Sequence, residues 1–205
     1  MTNFEIIDNF FDKTFLEKIA PKYRVPHETD SHQHWDHGHE NKLMLNEELP
    51  VPMDRLYILE HLTSADNSPF QKSPHLKNAT LKFHKPISAF SMNPHRDFCF
   101  ATMSVYLNPN WKPEWGGEFF CIDTETGEKK VIDYKYNRAV FWKSPHPTEP
   151  RHCPTHGVRP THKTDRFTLQ IFLYDTVENE KTYEEMGIIR HHWSKHFAPE
   201  EWVIS

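Results

Sequence analysis

The sequence predicts a mainly β domain with flanking helices, folded as a sandwich or barrel. Three observations carry this. From Ala79 onward, short runs rich in β-branched and aromatic residues alternate with turn residues. Aromatics make up 14% of the chain, and sixteen Pro stand against six Gly, a balance that suits strands joined by stiff loops. The runs follow one another without intervening helical patterns, which argues against a parallel βαβ sheet.

The elements read in order as follows. Phe4–Asp8 is a short opening strand. A helix follows with Asp12 as N-cap and Phe11 placed to staple against Leu16. Phe15, Leu16 and Ile19 share one helical face, and Pro21 closes the helix. From Tyr23 to Pro50 the chain is polar, His-rich and aperiodic, a long loop or flap. Pro52 opens a second helix whose apolar stripe is Leu56, Leu59 and Leu62. Asn67–Pro74 is loop. The strands are then Ala79–His84, Ile87–Met92, His95–Leu107, Glu118–Ile122, Lys130–Tyr134, Ala139–Trp142, an extended piece near His156, and Arg166–Tyr174. Thr182–Phe197 reads as a closing helix, interrupted by Gly187. One domain over 1–205 results: a helical and loop part at 1–78, a β core of eight-strand size at 79–175, and a C-terminal helix at 176–205.

Composition narrows the function. At 205 residues the chain can bury one real core. The formal net charge of -5 argues against a duplex-DNA binder, which needs a basic face, and nucleic acid is not expected as a partner. Cys99, Cys121 and Cys153 are too few and too scattered for a disulfide framework, which points to a reducing compartment. The first twenty residues lack the apolar core of a signal peptide, and no apolar run reaches membrane-spanning length. A soluble, cytoplasmic protein with no membrane association is the expectation. Sixteen His is a strong bias toward the commonest metal-ligating side chain, although most of them read as solvated.

His95-Arg96-Asp97 carries the chemistry. In a strand, residues i and i+2 share a face, so His95 and Asp97 can chelate one ion while Arg96 turns away. A second His from a distant strand would complete a two-His, one-carboxylate face with three open positions, which suits Fe(II) and oxygen chemistry. His34-Trp35-Asp36 repeats the pattern but sits in the aperiodic stretch, whereas His95 opens a run of high β propensity. His146, His152, His156 and His162 are candidates for the third ligand. In the last strand Phe167, Leu169, Ile171 and Leu173 share one face and Arg166, Thr168 and Gln170 the other. An Arg at the mouth of a barrel can grip a carboxylate with two parallel hydrogen bonds, and Thr168 can add a third; the bland alternative is an exposed edge-strand Arg. Gly116 and Gly117 read as a bend where a side chain would not fit. Tyr106 and Trp142 read as core, with pocket lining as the alternative. His32, His34, His37 and His39, beside Asp36 and Glu40, read as a solvated loop rather than a second metal site, with a substrate lid as the third option.

Taken in order, His95-x-Asp97, Tyr106-Leu107-Asn108, Trp115-Gly116-Gly117-Glu118, Asn137-Arg138-Ala139-Val140-Phe141, His156-Gly157-Val158 and Arg166-x-Thr168 resemble the Fe(II)/2-oxoglutarate dioxygenases, nearest the prolyl 4-hydroxylase-like branch. The resemblance spans Ala79 to Asp175. It implies a double-stranded β-helix, or jelly roll, with Fe(II) held by His95, Asp97 and His156; His152 is the fallback for the third ligand. It implies that Arg166 binds the distal carboxylate of 2-oxoglutarate with help from Thr168. It further implies O2 as oxidant, ascorbate as an admissible auxiliary reductant, release of succinate and CO2, and hydroxylation of a peptidyl or free amino acid, proline among them.

Three departures refine the expectation. Collagen-type prolyl hydroxylases carry Lys where this chain has Arg166. They also tend to carry a Tyr on the strand before the metal motif, and Leu81-Lys82-Phe83-His84 has none. No second Arg lies on the last strand, unlike nucleic-acid-demethylating relatives, and the presence of Asp97 favours hydroxylation over halogenation. A cupin-like metal enzyme that ignores 2-oxoglutarate and a non-enzymatic β-barrel binding module are the competing readings.

Overall fold

The structure is a computed structural model that describes residues 4–24, 44–48, 52–71, 79–86, 92–95, 101–122, 126–143, 155–159, 161 and 166–173. Strand β1 (Phe4–Asp8) leads into a π-wound turn at Phe15–Ile19 and helix α1 (Ala20–Arg24). Then come β2 (Met44–Glu48), α2 (Pro52–Ser64), β3 (Ala79–Pro86), β4 (Met92–His95), β5 (Ala101–Tyr106), β6 (Phe119–Ile122), β7 (Lys129–Ile132), β8 (Arg138–Lys143), β9 (Thr155–Val158) and β10 (Thr168–Leu173).

Two antiparallel sheets result, one of six strands in the order β1-β8-β5-β10-β3-β2 and one of four in the order β4-β9-β6-β7. From β3 to β10 the chain shuttles between them, β3, β5, β8 and β10 falling in the large sheet and β4, β6, β7 and β9 in the small one. That is the expected jelly roll of eight core strands. β1 and β2 extend the large sheet at its two edges.

The large sheet has two chemically different faces, and this difference positions the site. Its outer face, carrying Leu81, Met103, Val105, Leu169 and Ile171, packs against Phe11, Phe15, Ile58 and Leu62 from the N-terminal helical part. The alternate positions turn inward. There Tyr106, Val140 and Trp142 meet Phe119, Cys121 and Ile132 of the small sheet. The same inner parity also holds Thr102, Ser104, Thr168 and Gln170, the first three buried and the last half-buried. A polar strip therefore runs inside the roll, along the strands where the outer face is wholly apolar.

Several expectations are corrected. Asp12 does cap the first helix, accepting from Phe15 N at 2.9 Å, and Phe11 stacks on Phe15 at 3.7 Å. The helix does not end at Pro21. Its turn widens to i→i−5 bonding, with Ala20 N donating to Phe15 O, and a widened turn makes room for a ring that would clash in an α-helix. The buried stripe of α2 is Asp54, Ile58 and Leu62; Leu56 is 57% exposed because the helix is rotated to bring Asp54 onto Tyr23 Oη and Lys22 Nζ. Part of the expected flap is strand, since Met44–Glu48 pairs with β3. Met92–His95 and Ala101–Tyr106 are two strands in different sheets, not the single His95–Leu107 run. The His32–His39 cluster and the Thr182–Phe197 helix lie outside the described residues.

Asn137 ties the N-terminal part to the core. It adopts φ 59° in the β7–β8 turn, where its side chain mimics a strand partner. Nδ2 donates to Phe11 O and Oδ1 accepts from Phe11 N, both at 2.9 Å. Among the described residues, no helix is long and apolar enough to cross a membrane.

Candidate active site

Arg166 sits just before β10 with its guanidinium turned into the roll, 3% exposed. Its Nε donates to Gly117 O at 3.2 Å, and its guanidinium carbon lies 5.5 Å from the Tyr106 ring centre and 5.2 Å from that of Tyr134. The Trp-Gly-Gly-Glu segment is shaped for this approach. Gly117 has φ +78°, and a Cβ there would stand 3.3 Å from Arg166 Cδ and Nε and from Trp111 Cζ2. The expected bend is present, and its purpose is to let the Arg side chain pass.

Aromatic rings wall the guanidinium. Tyr106 stacks on Tyr134 at 4.4 Å, Tyr134 meets Trp111 at 4.4 Å, and Trp111 meets Trp115 edge-on at 5.4 Å. Tyr134 Oη is fully engaged. It accepts from Leu107 N and Asn108 N at 3.2 Å and shares its hydrogen between Asn108 Oδ1 at 2.6 Å and Phe167 O at 2.7 Å. Asn108 Oδ1 also accepts from Phe167 N at 2.6 Å. This network fixes the end of β5 to the start of β10 and so fixes Arg166.

Tyr106 is the exception. It is completely buried, and its hydroxyl has no hydrogen-bond partner among the described residues. An unpaired buried hydroxyl is costly, so its presence beside a buried guanidinium asks for an acceptor that the described residues do not provide. Burial pushes the Tyr106 phenol well above its usual pKa, with the Arg166 charge acting the other way. Burial likewise lowers the Arg166 guanidinium, opposed by Tyr106, Tyr134 and Glu118. At neutral pH the pair is a neutral O–H donor and a cation, the combination that receives a carboxylate. Thr168 is buried opposite Tyr106 in the ladder, and its Oγ1 lies 3.5 Å from Gln170 Nε2.

The small sheet brings two predicted ligands together. His95 on β4 and His156 on β9 are direct cross-strand partners, and His156 is also registered against Cys121 on β6. Directly opposed residues share a face of a sheet. Cys121 is buried in the apolar cluster between the sheets. Asp97 lies outside the described residues, as do His34, Asp36, His146, His152 and His162. The backbone register thus sets positions 95 and 156 side by side on the small sheet.

Sequence reading placed Tyr106 in the core, with pocket lining as the alternative, and did not single out its hydroxyl. The available signal was its parity with Ser104 and Thr102, the polar side of an otherwise apolar strand. Trp142 is plain core, packed on Phe4 and Phe119.

Residues 75–174 match the 2OG-Fe(II) oxygenase superfamily model. No curated protein matches in sequence. Among solved structures, the chain is similar to a Pseudomonas putida prolyl-4-hydroxylase at 12% identity and TM-score 0.62, covering 85% of this chain and 93% of that one. It is similar to a Trichoplax adhaerens prolyl hydroxylase, solved with a hypoxia inducible factor oxygen degradation domain peptide fragment, at 17% identity and TM-score 0.58, covering 88% and 87%. A viral collagen prolyl hydroxylase from Paramecium Bursaria Chlorella virus-1, solved as a 2OG complex, gives 14% and 0.53, covering 85% and 97%. At these identities the structural likeness speaks for the fold.

Proposed function

We propose, from the match of residues 75–174 to the 2OG-Fe(II) oxygenase superfamily model, that the chain hydroxylates an amino-acid residue of a peptide, consuming 2-oxoglutarate and O2 and releasing succinate and CO2. Fe(II) would be held by His95, Asp97 and His156. Bound there, ferrous iron supplies the oxygen activation that no side chain of the protein can perform. The protein's own part is to hold and orient. Arg166 and Tyr106 receive the distal carboxylate of 2-oxoglutarate, the first as a cation and the second as a hydroxyl donor, with Thr168 alongside. The aromatic wall of Tyr134, Trp111 and Trp115 keeps water from competing for that carboxylate.

The observation that carries this reading is the orphaned Tyr106 hydroxyl beside the buried Arg166, facing the sheet on which His95 and His156 are paired. A cupin-like enzyme that ignores 2-oxoglutarate would leave that hydroxyl without a purpose. A peptide is favoured over a free amino acid because one structural relative holds a peptide.

The test is succinate formation from 2-oxoglutarate by anaerobically prepared, Fe(II)-loaded protein on exposure to O2. Wild type should turn over slowly without substrate and faster with a prolyl peptide. Asp97→Ala should abolish turnover, and Arg166→Ala should raise the 2-oxoglutarate KM at least tenfold. Turnover that survives Asp97→Ala would overturn the iron assignment, and a KM unmoved by Arg166→Ala would overturn the carboxylate grip.

A further inference from the structure

Resting on that oxygenase reading, we propose that Gln170, oriented by Ser104, is a second co-substrate contact that donates a hydrogen bond to the 2-oxo acid end of 2-oxoglutarate.

The inner face of β5 and β10 is a ladder of opposed pairs: Tyr106 with Thr168, Ser104 with Gln170, Thr102 with Phe172. The carboxylate grip is at the first rung. One rung is about 6.8 Å along a strand, close to the length of a five-carbon dicarboxylate. A co-substrate held by its distal carboxylate at the first rung and lying along the strip therefore has its 2-oxo acid end at the Ser104–Gln170 rung.

Gln170 is set to greet it as a donor. Ser104 Oγ donates to Gln170 Oε1 at 2.6 Å, which fixes which way the carboxamide faces. Its Nε2 has two hydrogens, and the contact it makes is the 3.5 Å approach to Thr168 Oγ1, too long to satisfy a half-buried amide. Gln170 shares the inner parity of the strand with Thr168, and for its remaining N–H a keto or carboxylate oxygen is a matching acceptor. Apolar residues fill the opposite parity of the same two strands, so a polar rung here is not demanded by packing.

The experiment compares two ligands on anaerobic, Fe(II)-loaded protein: 2-oxoglutarate and pentanoate, which keeps the gripped carboxylate but ends in a methyl group. Gln170→Met should raise the 2-oxoglutarate Kd about tenfold, the loss expected for one hydrogen bond to a charged group, and leave the pentanoate Kd within about twofold. Ser104→Ala, a milder change, should move the ratio the same way by a smaller factor, and Ser104→Thr should restore it. Equal weakening of both ligands, or an unchanged ratio in both Gln170→Met and Ser104→Ala, would overturn the contact while leaving the oxygenase reading intact. Wild-type protein that bound no 2-oxoglutarate would overturn both.

Discussion

Tyr106 illustrates how a single buried atom can report function. A hydroxyl sealed from water without a partner costs stability, of order 1–3 kcal/mol. In this chain it is tolerated at a residue whose ring is already fully used in packing against Tyr134. Tyr106→Phe should therefore leave the unfolding free energy unchanged or raise it by up to about 1 kcal/mol in urea titrations, while weakening 2-oxoglutarate binding about tenfold. A destabilised variant with normal binding would show the hydroxyl to be structural. Gly117 acts on the same group from the other side. Gly117→Ala adds a methyl 3.3 Å from Arg166 at a φ of +78°, costing about 1–3 kcal/mol of stability and raising the 2-oxoglutarate KM as the Arg side chain is pushed aside. The glycine requirement and Arg166 were both legible in the sequence, the first from a Gly-Gly bend and the second from clean alternation in the last strand. The Tyr106 hydroxyl was not, because being unpartnered is a property of surroundings drawn from β6, β8 and β10, none of them near in sequence.

Elements are held by a few side-chain clamps rather than by propensity. β1 is fastened to β8 by Asp8, which accepts from Arg138 Nε at 2.7 Å and Nη2 at 3.1 Å and from Lys135 Nζ at 2.6 Å. These hydrogen bonds, Arg138 first, hold the Asp8 carboxyl near pKa 2 against an ordinary 3.8. A carboxyl whose pKa is lower folded than unfolded stabilises the protein above the unfolded value, and loses that contribution as pH falls through the folded one. The melting-temperature difference between wild type and Asp8→Asn should thus be constant above about pH 5 and vanish between about pH 4 and pH 2. Its size should be modest, under about 1 kcal/mol, because the Asp8 side chain is 35% exposed and screened by solvent. A difference that grew on acidification would contradict the assignment. Most strands were legible to within a few residues, since alternation and turn residues are local signals. What was not legible depended on neighbours: the π-wound turn that carries the chain past Pro21, the rotation of α2 set by Asp54, and β2, whose polar sequence becomes a strand only by pairing with β3.

At the scale of the whole molecule, the proposed ligands belong to different sheets. His95 and His156 lie on the small sheet, whereas Tyr106 is on the large sheet and Arg166 enters it through β10. The sheets share one apolar cluster, with the polar strip of Thr102, Ser104 and Gln170 running beside it. A co-substrate that chelates the metal at one end and meets Arg166 at the other would join the two sheets across that strip. Binding energy directed to the native state alone appears as stability, about 2.7 kcal/mol at a ligand concentration of one hundred times Kd. For a domain of this size that is roughly a 5–11 °C rise in melting temperature. With redox-inert Mn(II) in place of iron, 2-oxoglutarate should produce that rise only when the metal is present, because one end of the bridge is otherwise loose. Mn(II) alone should still stabilise Arg166→Met, which keeps the His positions, but 2-oxoglutarate should add little to it. Differential scanning fluorimetry of the four combinations of metal and co-substrate, in wild type and Arg166→Met, reads all of this directly. If 2-oxoglutarate raised the melting temperature equally without metal, or equally in Arg166→Met, the ligand would not span the sheets and the bridge would have to be abandoned.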